Sequence, residues 1–257
     1  MLKHIKKNTN DFDYPDKVLD FDMLDLDSPV IFFTGENGSG KSTLLKVLAD
    51  LSGSIDLGKS LDSMMYEFSS DSFSLAWSRV LRKGYYFQSE DFYLYLKDSF
   101  KEREDNKAML KEAEERYGDR RSLGYYLETG MHRGNTEAMD GIVQEYLYAS
   151  HGEGYIRFFQ SKLREATLYL LDEPETPLSF QNQLTLIKLI DETVKKGSQF
   201  IICTHSPILL SYPGAKIIHF DEGIQEIQYK DHPLVHDYKR FLENPERYYH
   251  YLLSDEE

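Results

Sequence analysis

The chain has 257 residues, of which 40% are hydrophobic and 29% charged, and its formal net charge is −14. This composition excludes an intrinsically disordered chain, and the acidic surface disfavours binding to nucleic acid or anionic lipid outside a local basic patch. No apolar run approaches the ~20 residues of a membrane span. No apolar stretch of a secretory signal follows the N-terminal lysines, and the single cysteine, Cys203, fits a reducing compartment. We therefore expect a soluble, cytoplasmic protein.

The N-terminal third predicts short strands, one helix and then an irregular aromatic region. Pro15 and Pro29 bracket a segment in which apolar residues recur among aspartates, as in short strands near the start of a sheet. The apolar run at 30–33 is typical of a strand buried on both faces. Residues 42–50 have helical periodicity. Possible strands follow at 74–77 and 84–88.

The rest of the chain predicts helices and strands in alternation. Helices are predicted at residues 98–117, 137–148, 153–165 and 180–196, and strands at 167–171 and 199–203. Gly118 and Gly197 stand where the first and last of these helices would end. Such alternation indicates a largely parallel sheet with crossover helices, and ligands bind such sheets at the carboxyl ends of the strands.

A glycine-rich segment between the predicted strand at 30–33 and the helix at 42–50 has the pattern of a phosphate-binding loop. The pattern is Gly, four residues, then Gly-Lys-Ser, and it is credible when a strand precedes it and a helix follows. Its backbone N–H groups would converge on phosphate oxygens, Lys41 would reach the terminal phosphates, and Ser42 would ligate Mg²⁺. The predicted nucleotide-binding residues of this loop are Gly35, Asn37, Gly38, Ser39, Gly40, Lys41, Ser42 and Thr43.

Two carboxylates, Asp172 and Glu173, end the predicted strand at 167–171. An acidic pair at a strand end can simply mark where the chain meets water. Downstream of a phosphate loop it is also the usual second acidic site. There Asp172 would hold Mg²⁺ together with Ser42, and Glu173 would act as general base toward the attacking water.

The segment Ser150-His151-Gly152-Glu153 precedes the predicted helix at 153–165 and allows two interpretations. Ser-x-x-Glu before an apolar-periodic stretch is a helix capping box. A hydroxyl and a glycine N–H at a helix N-terminus can also bind the γ-phosphate of a nucleotide held elsewhere. The two interpretations are compatible, because the cap shapes the site.

Gln88 and His205 each follow a predicted strand. Gln88 could contact the metal or the attacking water, or it could be a surface amide. A lone histidine is usually structural, but His205 at the end of a strand neighbouring Asp172 could hydrogen-bond the γ-phosphate. We predict catalytic roles for Gln88, Glu173 and His205, and a metal role for Gln88 beside Ser42 and Asp172.

The ordered set of these motifs resembles the ATP-binding-cassette ATPases, with their Walker A and Walker B sequences. The segments GENGSGKSTLL, SHGEG, YLLDEPETPLS, GSQFIICTHSPILL and FLENPERYYHYL are similar to those of small, soluble bacterial ATPases. The resemblance implies an α/β P-loop NTPase fold with a mostly parallel sheet, an antiparallel β edge and an inserted helical subdomain. It further implies a single domain over residues 1–257, with residues 90–150 as the helical subdomain between the glutamine loop and the signature.

The same resemblance implies Mg²⁺-dependent ATP hydrolysis in a head-to-tail homodimer, coupled to a further protein partner. Each ATP would lie between residues 35–43 of one subunit and Ser150 and Gly152 of the other. The family signature is usually Leu-Ser-Gly-Gly-Gln, of which this chain keeps the serine and the second glycine, and Ser179 stands where an aspartate is usual. Tyr14, upstream of the phosphate loop, is the candidate to stack on adenine, although an aromatic so far away is often a core residue.

Three other functions compete with this one. The chain could be the nucleotide-binding subunit of a membrane transporter, which would need a partner with the membrane helices. It could be a DNA-associated repair or defence ATPase, although the interval between phosphate loop and signature has no sustained heptads for a long coiled coil. It could also be an interaction module that binds ATP and switches a partner without fast turnover.

Overall fold

The computed structural model describes residues 1–8, 18–57, 72–89, 91–118, 122–147, 151–221 and 223–253. In these residues the strands are β1 (Leu2–Lys7), β2 (Met23–Asp25), β3 (Val30–Thr34), β4 (Ile55–Asp56), β5 (Phe73–Trp77), β6 (Arg82–Gln88), β7 (Thr167–Asp172), β8 (Gln199–Cys203), β9 (Lys216–His219) and β10 (Gln225–Ile227). The helices are α1 (Lys41–Ser52), α2 (Asp91–Tyr117), α3 (Leu123–Leu147), α4 (His151–Lys162), α5 (Phe180–Val194), α6 (Pro233–Glu243) and α7 (Pro245–Leu253). Tyr14 and Ser150 lie outside the described residues.

The main sheet has seven strands in the order β10-β9-β3-β8-β7-β6-β4. All neighbouring pairs are parallel except β9 with β10, which is antiparallel at the edge of the sheet. The sequence prediction of a mostly parallel sheet with an antiparallel edge is confirmed. The central strands β3, β7 and β8 are buried along their whole length, as their apolar runs predict.

A second sheet of three antiparallel strands, in the order β2-β1-β5, packs beside the main one. Its apolar residues join α1 and one face of the main sheet in one core cluster, which includes Leu2, Ile5 and Phe73. The other face of the main sheet packs against α4 and α5 in a second cluster. The sheet is therefore covered on both sides, and α1 packs over β6, β7 and β8.

Two long helices, α2 and α3, are inserted between β6 and α4. Helices were predicted in this region at 98–117 and 137–148, and both helices are present. They begin earlier than predicted, α2 at Asp91 and α3 at Leu123. At the start of α2, the Asp91 carboxylate accepts a hydrogen bond from the backbone N–H of Gln88 (2.6 Å). None of the helices in the described ranges has the length and apolar character to cross a membrane.

Helix α4 ends at Lys162, three residues before the predicted end. The Tyr169 hydroxyl on β7 accepts a hydrogen bond from the backbone N–H of Arg164 (2.5 Å) and lies 3.2 Å from the carbonyl oxygen of Lys162. This contact between distant elements stops the helix and leads the chain into β7. The periodicity of residues 153–165 contains no signal for it.

Candidate functional site

The phosphate loop joins the end of β3 to the start of α1, as predicted. Gly35 has a φ of 135°, and a Cβ there would lie 2.8 Å from a carboxylate oxygen of Asp221. Gly40, the N-cap of α1, has a φ of 97°, and a Cβ there would lie 2.9 Å from Val18. Both positions therefore require glycine. The N-terminus of α1 has no side-chain cap and no acid in its first turn, which leaves it suited to an anion.

Lys41 lies over the loop with only 5% of its surface exposed. Its ammonium group donates hydrogen bonds to the carbonyl oxygens of Gly35 (2.8 Å) and Glu36 (2.6 Å) and to the Ser39 hydroxyl (3.3 Å). Burial lowers the pKa of Lys41, and nearby acidic groups partly offset that effect. The lysine is placed to exchange these loop contacts for phosphate oxygens.

Ser42, Gln88 and Asp172 meet at the carboxyl ends of β6 and β7. The Ser42 hydroxyl donates to Asp172 Oδ1 (3.1 Å), and Gln88 Nε2 donates to Asp172 Oδ2 (3.3 Å). Gln88 and Asp172 are direct partners in the register of β6 with β7. A hydroxyl, an amide and a carboxylate form an oxygen-rich donor set of the kind Mg²⁺ prefers. The set fits the predicted metal role of these three residues.

Glu173 follows Asp172 in the left-handed backbone region, with a φ of 48°. Its backbone N–H donates to the carbonyl oxygen of Cys203 (3.0 Å), which fixes the turn at the end of β7. A non-glycine residue in this region carries a strain of ~1–3 kcal/mol and is found most often at functional sites. The Glu173 side chain is 47% exposed. The strained turn thus presents its carboxylate at the surface beside the phosphate loop.

His205 lies next to Glu173, with 3.9 Å between Nε2 of the histidine and Oε1 of the glutamate. Its Nε2 is buried and has no hydrogen-bond partner among the described residues. Glu175 holds the loop in place, because its Oε1 accepts a hydrogen bond from the backbone N–H of His205 (2.7 Å). Burial raises the pKa of Glu175. Sequence reasoning missed this supporting role, whose signal was a second glutamate two residues after Glu173.

A cleft of about 410 Å³ lies between the phosphate loop and the catalytic candidates. Glu36 and Asn37 line it on one side and Glu173 and His205 on the other. The structure therefore brings Lys41 and Ser42, Gln88, Asp172, Glu173 and His205 to one edge of the sheet. This edge is the one where parallel α/β sheets bind ligands.

Gly152 lies in the first turn of α4, apart from this cleft, and packs against the start of α5. A Cβ at Gly152 would lie 2.5 Å from Asn182 Nδ2 and 3.2 Å from the carbonyl oxygen of Pro177. Close packing therefore favours a glycine here. Ser179 is the N-cap of α5, and its hydroxyl accepts a hydrogen bond from the backbone N–H of Asn182 (3.3 Å).

Asp221 is a contributor to the site that sequence reasoning did not identify. It follows β9, and its Oδ1 accepts a hydrogen bond from the backbone N–H of Glu36 in the phosphate loop (2.7 Å). Strand β9 lies beside β3, and Thr34 pairs with His219 in register. The sequence did contain a signal for it. Residues 217–220 are mostly apolar and Asp221 follows them, which is the pattern of another parallel strand with a polar end.

Comparisons with known proteins agree with this chemistry. Over residues 145–210 the chain matches the family model described as "AAA ATPase domain". That segment contains α4, β7 with Asp172, and β8 with the His205 loop. A search of curated proteins found no match. The match, together with the phosphate loop, supports an ATP-binding ATPase of the P-loop class.

Among solved structures, the chain is similar to an Smc head domain with an extended coiled coil, bound to the C-terminal domain of ScpA, from Pyrococcus furiosus. The identity is 14% and the TM-score 0.43, over 95% of this chain and 99% of that one. This is a similarity of backbone structure alone.

Proposed function

We propose that the chain is a Mg²⁺-dependent ATPase that works as an ATP-supported head-to-tail homodimer. The observation that carries the proposal is the meeting of Ser42, Gln88 and Asp172 directly behind the phosphate loop, with Glu173 and His205 across the cleft. A phosphate loop alone would support binding of many phosphate compounds. A metal donor set and a carboxylate beside it support hydrolysis.

The loop residues 35–43 and Lys41 would bind the phosphates of ATP. Mg²⁺ held by Ser42, Asp172 and Gln88 would neutralise charge on the phosphate oxygens. The Ser42 hydroxyl donates a hydrogen bond to Asp172, so the protein's own contacts hold these two ligand positions together. This preorganisation reduces the cost of arranging charged groups during the reaction.

Glu173 would accept a proton from the attacking water. The water oxygen bonds to the γ-phosphorus, the bond from that phosphorus to the bridging oxygen breaks, and ADP and phosphate leave. His205, which lines the cleft, would donate a hydrogen bond to a γ-phosphate oxygen. General-base catalysis of this kind typically contributes ~10²–10⁴-fold to the rate.

Two features support completion of the site by a second copy of the chain. The side chains of Glu173 and His205 are 47% and 39% exposed, so the cleft as it stands admits bulk water. An apolar groove of about 1250 Å³ adjoins these two residues, and the exposed Phe180 and Leu184 of α5 line it. A partner subunit that covers this face with its Ser150 and Gly152 would exclude water from the reaction.

The proposal is tested by ATP binding and phosphate release of the purified chain with and without Mg²⁺. The decisive variant is Lys41→Ala, and Lys46→Ala in the same helix is the matched control. We expect Lys41→Ala to lose tight ATP binding and hydrolysis while the control keeps both, because only Lys41 lies over the loop. Thermal unfolding is recorded beside each assay. Hydrolysis by folded Lys41→Ala at the wild-type rate would show the assignment to be wrong.

A further inference from the structure

Four side chains form a continuous line of hydrogen bonds from the start of α6 to the phosphate loop. His232 Nε2 lies 2.9 Å from the Thr34 hydroxyl, and that hydroxyl lies 3.0 Å from His219 Nδ1. His219 Nε2 lies 3.2 Å from Asp221 Oδ2. Asp221 Oδ1 accepts the backbone N–H of Glu36. We call these four residues the relay.

The hydrogen bonds of the relay are all donated in one direction, from His232 toward Asp221. The contact between Leu234 and His232 determines this direction. The backbone N–H of Leu234 donates to His232 Nδ1 (3.2 Å), so this nitrogen carries no proton. Neutral His232 therefore carries its proton on Nε2 and donates it to Thr34. The hydroxyl of Thr34 has a single proton, which it donates to His219 Nδ1. His219 then donates from Nε2 to Asp221, so every donor in the line meets an acceptor.

The interior of the relay is shielded from water. Thr34, His219 and His232 are 1%, 7% and 2% exposed. Burial lowers the pKa of His232, and neighbouring His219 lowers it further, while Asp221 acts in the opposite direction. His232 is therefore neutral, as the direction of the relay requires. Polar groups buried to this degree have no water to replace a lost partner, so removing one member leaves its neighbours unpaired.

The relay ends on the peptide group that shapes the phosphate loop. Asp221 Oδ1 binds the N–H of Glu36, and the same oxygen would clash with a Cβ at Gly35. Lys41 holds this segment from the other side, through the carbonyl oxygens of Gly35 and Glu36. If Lys41 turned to phosphate, the hydrogen bond that the Glu36 N–H donates to Asp221 would remain as a support for the loop.

We propose that His232, Thr34, His219 and Asp221 are positioning residues that hold the phosphate loop in its binding conformation and couple the start of α6 to ATP affinity. The inference rests on the proposed function, because ATP is the ligand that the loop would bind. The competing explanation is that His232 only caps α6. That explanation predicts an effect on stability and none on the affinity of folded molecules for ATP.

The test separates the cap from the relay by two substitutions. His232→Asn keeps an acceptor for the Leu234 N–H, since asparagine is among the best N-caps, but its side chain is too short to reach Thr34. Thr34→Val removes the hydroxyl at nearly constant volume, and Thr34→Ser restores it. Asp237→Asn, at an exposed position of the same helix outside the apolar groove, is the matched control. The readouts are the Kd for Mg·ATP, the KM and kcat for hydrolysis, and thermal unfolding.

We expect His232→Asn and Thr34→Val to raise the Kd and KM for ATP about tenfold with little change in kcat, because each variant leaves a buried polar group of the relay without its hydrogen-bond partner. Thr34→Ser and Asp237→Asn should stay near wild type. If Thr34→Val fails to fold, Asp221→Asn serves in its place. The two oxygens of Asp221 accept from His219 and from the Glu36 N–H, and an asparagine amide, with one oxygen only, leaves one of these contacts as donor facing donor. Wild-type affinity in folded His232→Asn and in either second variant would overturn the inference. Equal ATP binding by wild type and Lys41→Ala would instead overturn the proposed function, and this inference with it.

Discussion

Ser42 and Asp172 are 130 residues apart in the chain, and the Ser42 hydroxyl donates a 3.1 Å hydrogen bond to Asp172 Oδ1. The contact joins the first turn of α1 to the end of β7. Asp172 is 6% exposed and also accepts a hydrogen bond from Gln88. The carboxylate is thus held ready between two other oxygen-bearing side chains.

This arrangement predicts that Asp172→Asn removes the effect of Mg²⁺ on ATP binding. Asparagine keeps the shape of the side chain but lacks the negative charge that attracts the cation. We expect ATP affinity without Mg²⁺ to remain within a few-fold of wild type, and hydrolysis to fall ~10²-fold or more. Titration with ATP at several Mg²⁺ concentrations checks this. Asp50→Asn, at an exposed position of α1, should behave as wild type, and a normal Mg²⁺ response in Asp172→Asn would contradict the metal role.

Glu173→Gln is expected to abolish turnover and to accumulate an ATP-bound homodimer. Glutamine cannot accept the proton of the attacking water, so the rate should fall by ~10²–10⁴-fold. Binding should persist because Lys41, Ser42 and Asp172 are unchanged. ATP then stays intact, and only ATP carries the γ-phosphate that would join the two subunits.

Light scattering of Glu173→Gln with Mg·ATP, Mg·ADP and no nucleotide measures this shift in mass. Glu165→Gln, at an exposed position, is the control and should hydrolyse ATP normally. A monomeric mass with ATP over a wide range of protein concentration would show that the homodimer is wrong. The chain would then be an ATP-binding switch that acts as a monomer.

Gly152→Ala is expected to lower the free energy of unfolding, whatever its effect on ATP hydrolysis. The added Cβ would lie 2.5 Å from Asn182 Nδ2, so α4 and α5 must separate or the asparagine must move. Overpacking of this kind typically costs ~1–3 kcal/mol. The double variant Gly152→Ala with Asn182→Ala should recover most of that loss, although the 3.2 Å contact with the Pro177 carbonyl remains.

Denaturant unfolding of the two single variants and the double variant measures the recovery. ATP hydrolysis per folded molecule of the double variant then reports on the other interpretation of Gly152. Recovered stability with hydrolysis still absent would favour a phosphate contact across the dimer, while recovery of both would leave packing as the reason for the glycine.

His232 should make the protein less stable in mild acid. Its pKa is lowered from 6.5 to about 4, chiefly by burial and then by His219, with Asp221 opposing. Between these values the unfolded chain binds a proton that the folded chain does not, so the unfolding free energy falls as the pH falls. At about 1.4 kcal/mol per pKa unit, the loss amounts to at most about 3 kcal/mol.

Unfolding curves at several pH values from about 6.5 to 4 measure this slope. His232→Asn should have a shallower slope over this range, because asparagine does not titrate. Equal slopes for wild type and His232→Asn would show that the histidine takes up its proton equally in both states.

The local elements of this fold could be predicted where the signal lies within a few residues. The run at 30–33 is apolar without interruption, and it forms a strand buried on both faces. The phosphate loop was predictable for a similar reason, because its glycines, Lys41 and Ser42 all lie within residues 35–42. Helix α4 was predicted three residues too long, since the hydroxyl that ends it belongs to Tyr169 on another element.

The sequence by itself predicted which residues would carry the chemistry: Lys41, Ser42, Asp172, Glu173 and His205 each stand at a strand end or in a loop of recognisable pattern. Only the tertiary structure decided how they are supported. The side chains of His219 and Thr34 are 185 residues apart in the chain and meet because β9 lies beside β3. Hydrogen bonds between distant side chains depend on strand order and register. Those are set by packing of the whole sheet, and no short segment of the sequence specifies them.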